Sequence, residues 1–151
     1  MEFCHINSIL HSPAIQKLIE FMHERSEQKG TQTDLCTQDT FENFEQDIHR
    51  LIMAFERELI SEELSRYDVT AKEIEVAGKT YRRGARLSET YLSAAGRVTV
   101  ERHIYHTVGE KGRCICPLEL RSGIIAGYFT PDAARQGAFA MAHLTPGESE
   151  A

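Results

Sequence analysis

The chain has 151 residues, 41% hydrophobic and 26% charged, with ten glycines and four prolines. That composition excludes a disordered or collagen-like chain, and the length suits one principal core. No run approaches the roughly 18 consecutive apolar residues of a membrane-spanning helix, and residues 1–10 lack a secretory leader's basic start, apolar stretch and cleavage site, so the reading is a cytoplasmic protein with no membrane partner. The net charge of −6 excludes an indiscriminate nucleic-acid coat.

Ser12-Pro13 is a capping hydroxyl followed by the residue favoured in a first helical turn, and Ile15, Leu18, Ile19 and Met22 follow at helical spacing, which predicts a helix from Pro13 into 25–28. Residues 30–38, GTQTDLCTQ, read as a loop or flexible joint at which the chain changes domain. Thr40 then caps a longer helix in which Phe41, Phe44, Ile48, Leu51 and Phe55 recur in alternating steps of three and four. Such a seam packs on its own domain or, as the competing reading, forms a homodimer.

Beyond Tyr67 the pattern turns to β. Ile74–Val76 and Lys79–Arg82 flank an Ala77-Gly78 turn, and Thr90–Leu92, the turn Ser93-Ala94-Ala95-Gly96 and the run Val98–Tyr105 make a hairpin. Val98, Val100, Arg102 and Ile104 fall on one face, and Thr99, Glu101, His103 and Tyr105 on the other. The end of the chain returns to helix, with a start at Thr130-Pro131 running to about His143 and another start at Thr145-Pro146. The expected fold is α+β: N-terminal helices, a small antiparallel sheet and a C-terminal helical segment. Its segments are 1–39 (helix and linker), 40–70 (long amphipathic helix), 71–116 (β element) and 117–151 (helical, beginning a helix-turn-helix-like unit).

Charge is distributed unevenly. Residues 1–77 carry seven Lys plus Arg against 16 Asp plus Glu, a net of −9, whereas 78–113 carry eight against three, a net of +5. Lys79, Arg82, Arg83 and Arg86 precede the hairpin turn, Arg97 lies at it and Arg102 follows, with Tyr81, Tyr91 and Tyr105 interleaved as aromatic surface. Such groups neutralise phosphates and position a duplex without reading its sequence. The alternative is that they offset the acidic helix of Glu56, Glu58, Glu62 and Glu63 within the same molecule.

The acidic residues lie mostly on helical faces and form no evident catalytic cluster, so neither an enzyme active site, a cofactor nor a small-molecule substrate is expected. Cys114 and Cys116 are separated by one residue, off the spacing of structural zinc sites, and Cys4, His5, His11 and Cys36 are dispersed, so no metal is assigned. Cys116 has Arg113 near it but no identifiable activating His and acid.

From Tyr81 onward the sequence resembles the N-terminal part of bacterial insertion-sequence transposases of the Kra type. The matching residues are Tyr81-Arg82-Arg83, Thr90 and Gly96, Val98, Val100, Arg102 and Tyr105. They continue through Cys116–Gly123, Phe129-Thr130-Pro131 and Ala142–Pro146. The resemblance implies a non-catalytic transposase module contributing to DNA binding or assembly, cut short before a ribonuclease-H-like domain with acidic metal ligands. The alternatives are a homodimerising module that touches no nucleic acid, or an inactive remnant.

Overall fold

The computed structural model describes residues 11–28, 41–109 and 113–143. The predicted loop at 30–38, the Thr40 cap, the Thr145-Pro146 helix start, Cys4, His5 and Cys36 lie outside the described residues. The architecture is α+β, with N-terminal helices, a four-stranded antiparallel sheet and C-terminal helices. The chain divides into two compact units, Met1–Leu59 and Ile60–Ala151, and the division falls inside the second helix. No described helix is long and apolar enough to cross a membrane.

In the first unit, α1 (Pro13–Gln28) starts at the predicted proline, with the Ser12 carbonyl accepting the Gln16 N–H. It runs against the first part of α2 (Phe41–Ser65), since Ser12 at its start bonds Glu58 whereas Phe21 stacks on Phe44, ring centroids 6.0 Å apart. Arg25 covers the Phe44 ring at 4.9 Å, a cation–π contact. The seam of α2 is therefore covered within the molecule at Phe44, while Phe41 at its start is 70% exposed.

In the second unit, β1 (Glu73–Val76), β2 (Lys79–Ser93), β3 (Gly96–Thr107) and β4 (Cys114–Ile115) pair in sequence order. Ser93 pairs with Gly96 across the two-residue Ala94-Ala95 turn. The register places Tyr91 opposite Val98 and Glu89 opposite Val100, so these side chains share a face. That face carries the core of Tyr91, Val98 and Val100 with Leu64 from the end of α2, Cys116 and Leu118, flanked by Ile60, Tyr67, Ile104 and Ile124. Fully burying a side chain such as Leu118 contributes about 1.5–3 kcal/mol.

The opposite face is covered at one end. The end of α2 and the chain that follows it run along the free edge of β3: Ser61 Oγ donates to the Thr99 carbonyl at 2.9 Å, and the His103 N–H donates to Asp68 Oδ1 at 3.0 Å. Residues 69–71 then lie over Tyr105, whose hydroxyl donates to the Val69 and Ala71 carbonyls at 3.0 and 2.7 Å. Capping both ends of that edge leaves little of it to pair with another strand.

Beyond the sheet, α3 (Pro117–Ser122) opens on proline and ends at Gly123, whose φ of +73° is the left-handed conformation of a helix C-cap. The next turn docks on the outer edge of β2, where Leu92 N donates to the Tyr128 carbonyl and Thr130 N to the Leu92 carbonyl. From there α4 (Pro131–His143) begins at the predicted Thr130-Pro131 and buries no residue fully.

Candidate nucleic-acid interface

The six cations singled out in the sequence do not share one surface. Strand alternation and a bulge between Arg83 and Arg86 set their faces: Lys79, Arg83, Arg86 and Arg97 fall on the side of His103 and Tyr105, and Arg82 and Arg102 on the core side. Gly84 sits in the bulge because a Cβ there would meet the His106 ring at 2.5 Å and the Ile104 carbonyl at 3.0 Å.

Arg102 is the interior member, 13% exposed. It bonds Glu89 at 2.6 Å and Glu119 at 2.9 Å, and Tyr91 donates its hydroxyl to the same Glu119 oxygen at 2.9 Å. Burial opposes its charge, but contacts with Cys116 and Glu89 outweigh that and hold it protonated beyond the ordinary arginine range. Its Nε is buried without a hydrogen-bond partner. The Arg102 hydrogen bond lowers the Glu89 pKa against the opposing effect of burial. Burial first, then Glu119, raises that of Tyr91.

The other cations stay at the surface. Arg82 bonds Glu73 at 3.0 Å, Arg83 donates to the Thr70 carbonyl, Arg86 lies 3.5 Å from Glu101, and Arg97 is exposed beside the hairpin turn. None of these pairs involves the acidic face of α2, where Arg66 takes Glu62 and Glu63. Lys72, Glu73, Arg82 and Arg83 line a surface concavity of about 400 Å³, and exposed Lys79 sits on the same hairpin. Lys72 was missed in the sequence because it belongs to the acidic half; it reaches this end of the sheet because its carbonyl accepts the Arg83 N–H at 2.9 Å.

Tyr81, Tyr91 and Tyr105 correct the sequence reading, since all three are buried and offer no aromatic surface to bases. Tyr91 belongs to the core and Tyr105 is pinned beneath residues 69–71. Burial also raises the Tyr105 pKa, an effect that nearby Arg83 opposes.

Of the two candidate metal ligands, Cys116 is buried beside Arg102, while exposed Cys114 has its sulfur 3.4 Å from His106 Nδ1. Among the described residues no three His, Cys, Asp or Glu side chains converge to hold a metal ion. A second groove, of about 540 Å³, is lined by Ser65, Asp68, Arg86, Glu101 and His103 among others. In it His103 Nδ1 lies 2.7 Å from Asp68 Oδ2, an arrangement that fastens α2's exit to the sheet. No protein-family model, curated protein or solved structure matches the chain.

Proposed function

We propose that the chain is a non-catalytic, cytoplasmic nucleic-acid-binding module that grips a duplex by its phosphates at the β1–β2 end of the sheet. This is the role implied by its resemblance to the N-terminal part of insertion-sequence transposases. The supporting observation is the concavity lined by Lys72, Arg82 and Arg83 with a single carboxylate, Glu73, on a chain of net charge −6. Glu73 holds the Arg82 guanidinium in place without cancelling the other two cations. Arg102 is left out of the contact surface, because its guanidinium already serves two internal carboxylates. With no exposed tyrosine among the three in the hairpin region, backbone contact is favoured over base stacking.

Three phosphate contacts give a log–log salt slope near −2.7, so affinity should fall about 40-fold between 50 and 200 mM salt. Fluorescence anisotropy of a labelled duplex tests this, with Arg82→Ala/Arg83→Ala expected to reduce the slope by about two contacts. Absence of binding at low salt, or a slope unchanged in the double variant, would refute the proposal.

One observation favours homodimerisation as a second reading. Phe41 and Met22, both substantially exposed, border a groove of about 260 Å³ with Arg25 and Phe44. Light scattering showing a monomer at all concentrations would remove it.

A further inference from the structure

A row of four side chains crosses the sheet at one level: Glu73 on β1 pairs with Arg82 on β2, Arg82 with His106 on β3, and His106 with Cys114 on β4. Direct cross-strand partners face the same side, so the row reads carboxylate, guanidinium, imidazole, thiol. Its outer contacts are made, with Glu73 to Arg82 at 3.0 Å and His106 Nδ1 to Cys114 Sγ at 3.4 Å. The thiol is exposed, and its imidazole rests over Gly84, the one residue type that leaves room for the ring. An accessible thiol touching a base, with Arg82 in the same row and exposed Arg113 next to it in sequence, is the environment in which cysteine acts as a nucleophile.

We propose that Cys114, with His106 as its base, is a modification site for anionic low-molecular-weight disulfides. The Cys114 proton passes to His106 Nδ1, the thiolate attacks one sulfur of the disulfide, and a new S–S bond forms as the old one breaks. The departing half leaves as a thiolate and takes up a proton from the imidazolium. Cys114 is oxidised and the small disulfide is reduced, so no further oxidant is needed. Arg82 and Arg113 favour a carboxylate-bearing disulfide over a neutral or cationic one, with Glu73 the opposing charge in the row. The site does not depend on nucleic-acid binding.

The test exposes the whole chain to oxidised glutathione, 2-hydroxyethyl disulfide or cystamine at low salt, without nucleic acid, and maps adducts over time by peptide mass spectrometry. Cys114 is expected to react several-fold faster than buried Cys116. The rates should fall in the order anionic, neutral, cationic, and that order should flatten in 1 M salt, where screening acts within about 3 Å. His106→Asn, smaller than the native ring and so free of a clash at Gly84, should slow Cys114 several-fold with circular dichroism unchanged; Arg82→Gln should weaken the charge order. Equal labelling of Cys114 and Cys116, or a Cys114 rate unaffected by His106→Asn in a folded protein, would overturn the proposal.

Discussion

Replacing Arg102 with methionine tests whether this cation belongs to the protein's interior. The substitution keeps a long apolar stem but strips the partners from Glu89 and Glu119, the latter also held by Tyr91. Breaking a fully buried ion pair costs about 3–5 kcal/mol, and because Glu89 is 40% and Glu119 24% exposed, the discounted expectation is about 2–3 kcal/mol. In urea, with a slope of about 1–3 kcal/mol per molar, the midpoint should drop by about 1 M or more. The pH dependence carries a sign. Glu89 has a folded pKa below its ordinary 4.5, so its stabilising contribution is complete above 4.5 and disappears as pH falls through the lower folded value. The penalty of Arg102→Met should therefore be largest at neutral pH and shrink below pH 4.5, and Glu119→Gln added to it should recover part of the loss. A neutral-pH change under 0.5 kcal/mol, or a penalty independent of pH, would refute the interior role and return Arg102 to the surface.

Three further outcomes are expected. Leu118→Ala empties a fully buried position and should cost about 2–5 kcal/mol in chemical denaturation. Tyr105→Phe removes the donor shared by the Val69 and Ala71 carbonyls; it should cost about 1–2 kcal/mol, and hydrogen exchange should accelerate selectively over residues 68–72. Gly84→Val should lower stability by about 1–3 kcal/mol through overpacking against His106 and the Ile104 carbonyl, and should also slow Cys114 modification by displacing the imidazole.

Local patterns made most of the elements legible. Ser12-Pro13 and Thr130-Pro131 mark starts because proline's fixed φ and missing N–H act on the chain at those residues, and alternation from Val98 to Tyr105 reveals a strand for a comparably local reason. Contacts made by distant segments were not legible. Tyr105 alternates correctly onto the face opposite Val98, yet it is buried there because residues 69–71 cross over it, and nothing in the alternation signals that cover. Likewise His106 and Cys114 are eight positions apart in sequence, and only the β3–β4 register makes them neighbours. Charge counting located the basic segment but could not sort its arginines, because Arg82, Arg86 and Arg102 meet Glu73, Glu101 and Glu89 across neighbouring strands, and Arg102 also meets Glu119 on α3, rather than by proximity in sequence.

That sorting depends on one extra residue. From Arg82 to Glu89 strict alternation would put the two on opposite faces, yet both lie on the core side because Gly84 and Ala85 together stand opposite Ile104 in the bulge. The same insertion keeps Tyr91 directed at Val98 while Arg83 and Arg86 share the outer face. Deleting Ala85 removes the extra residue, so strict alternation over the shortened strand still pairs Arg82 with His106 and Glu89 with Val100. Arg82 and Glu89 then stand an even number of positions apart and both stay on the core side. The expected variant is folded, with low-salt binding to duplex DNA and Cys114 modification both retained. A deletion variant that unfolds, or that loses both activities, would show that the bulge itself, and not only the register on either side of it, holds the row.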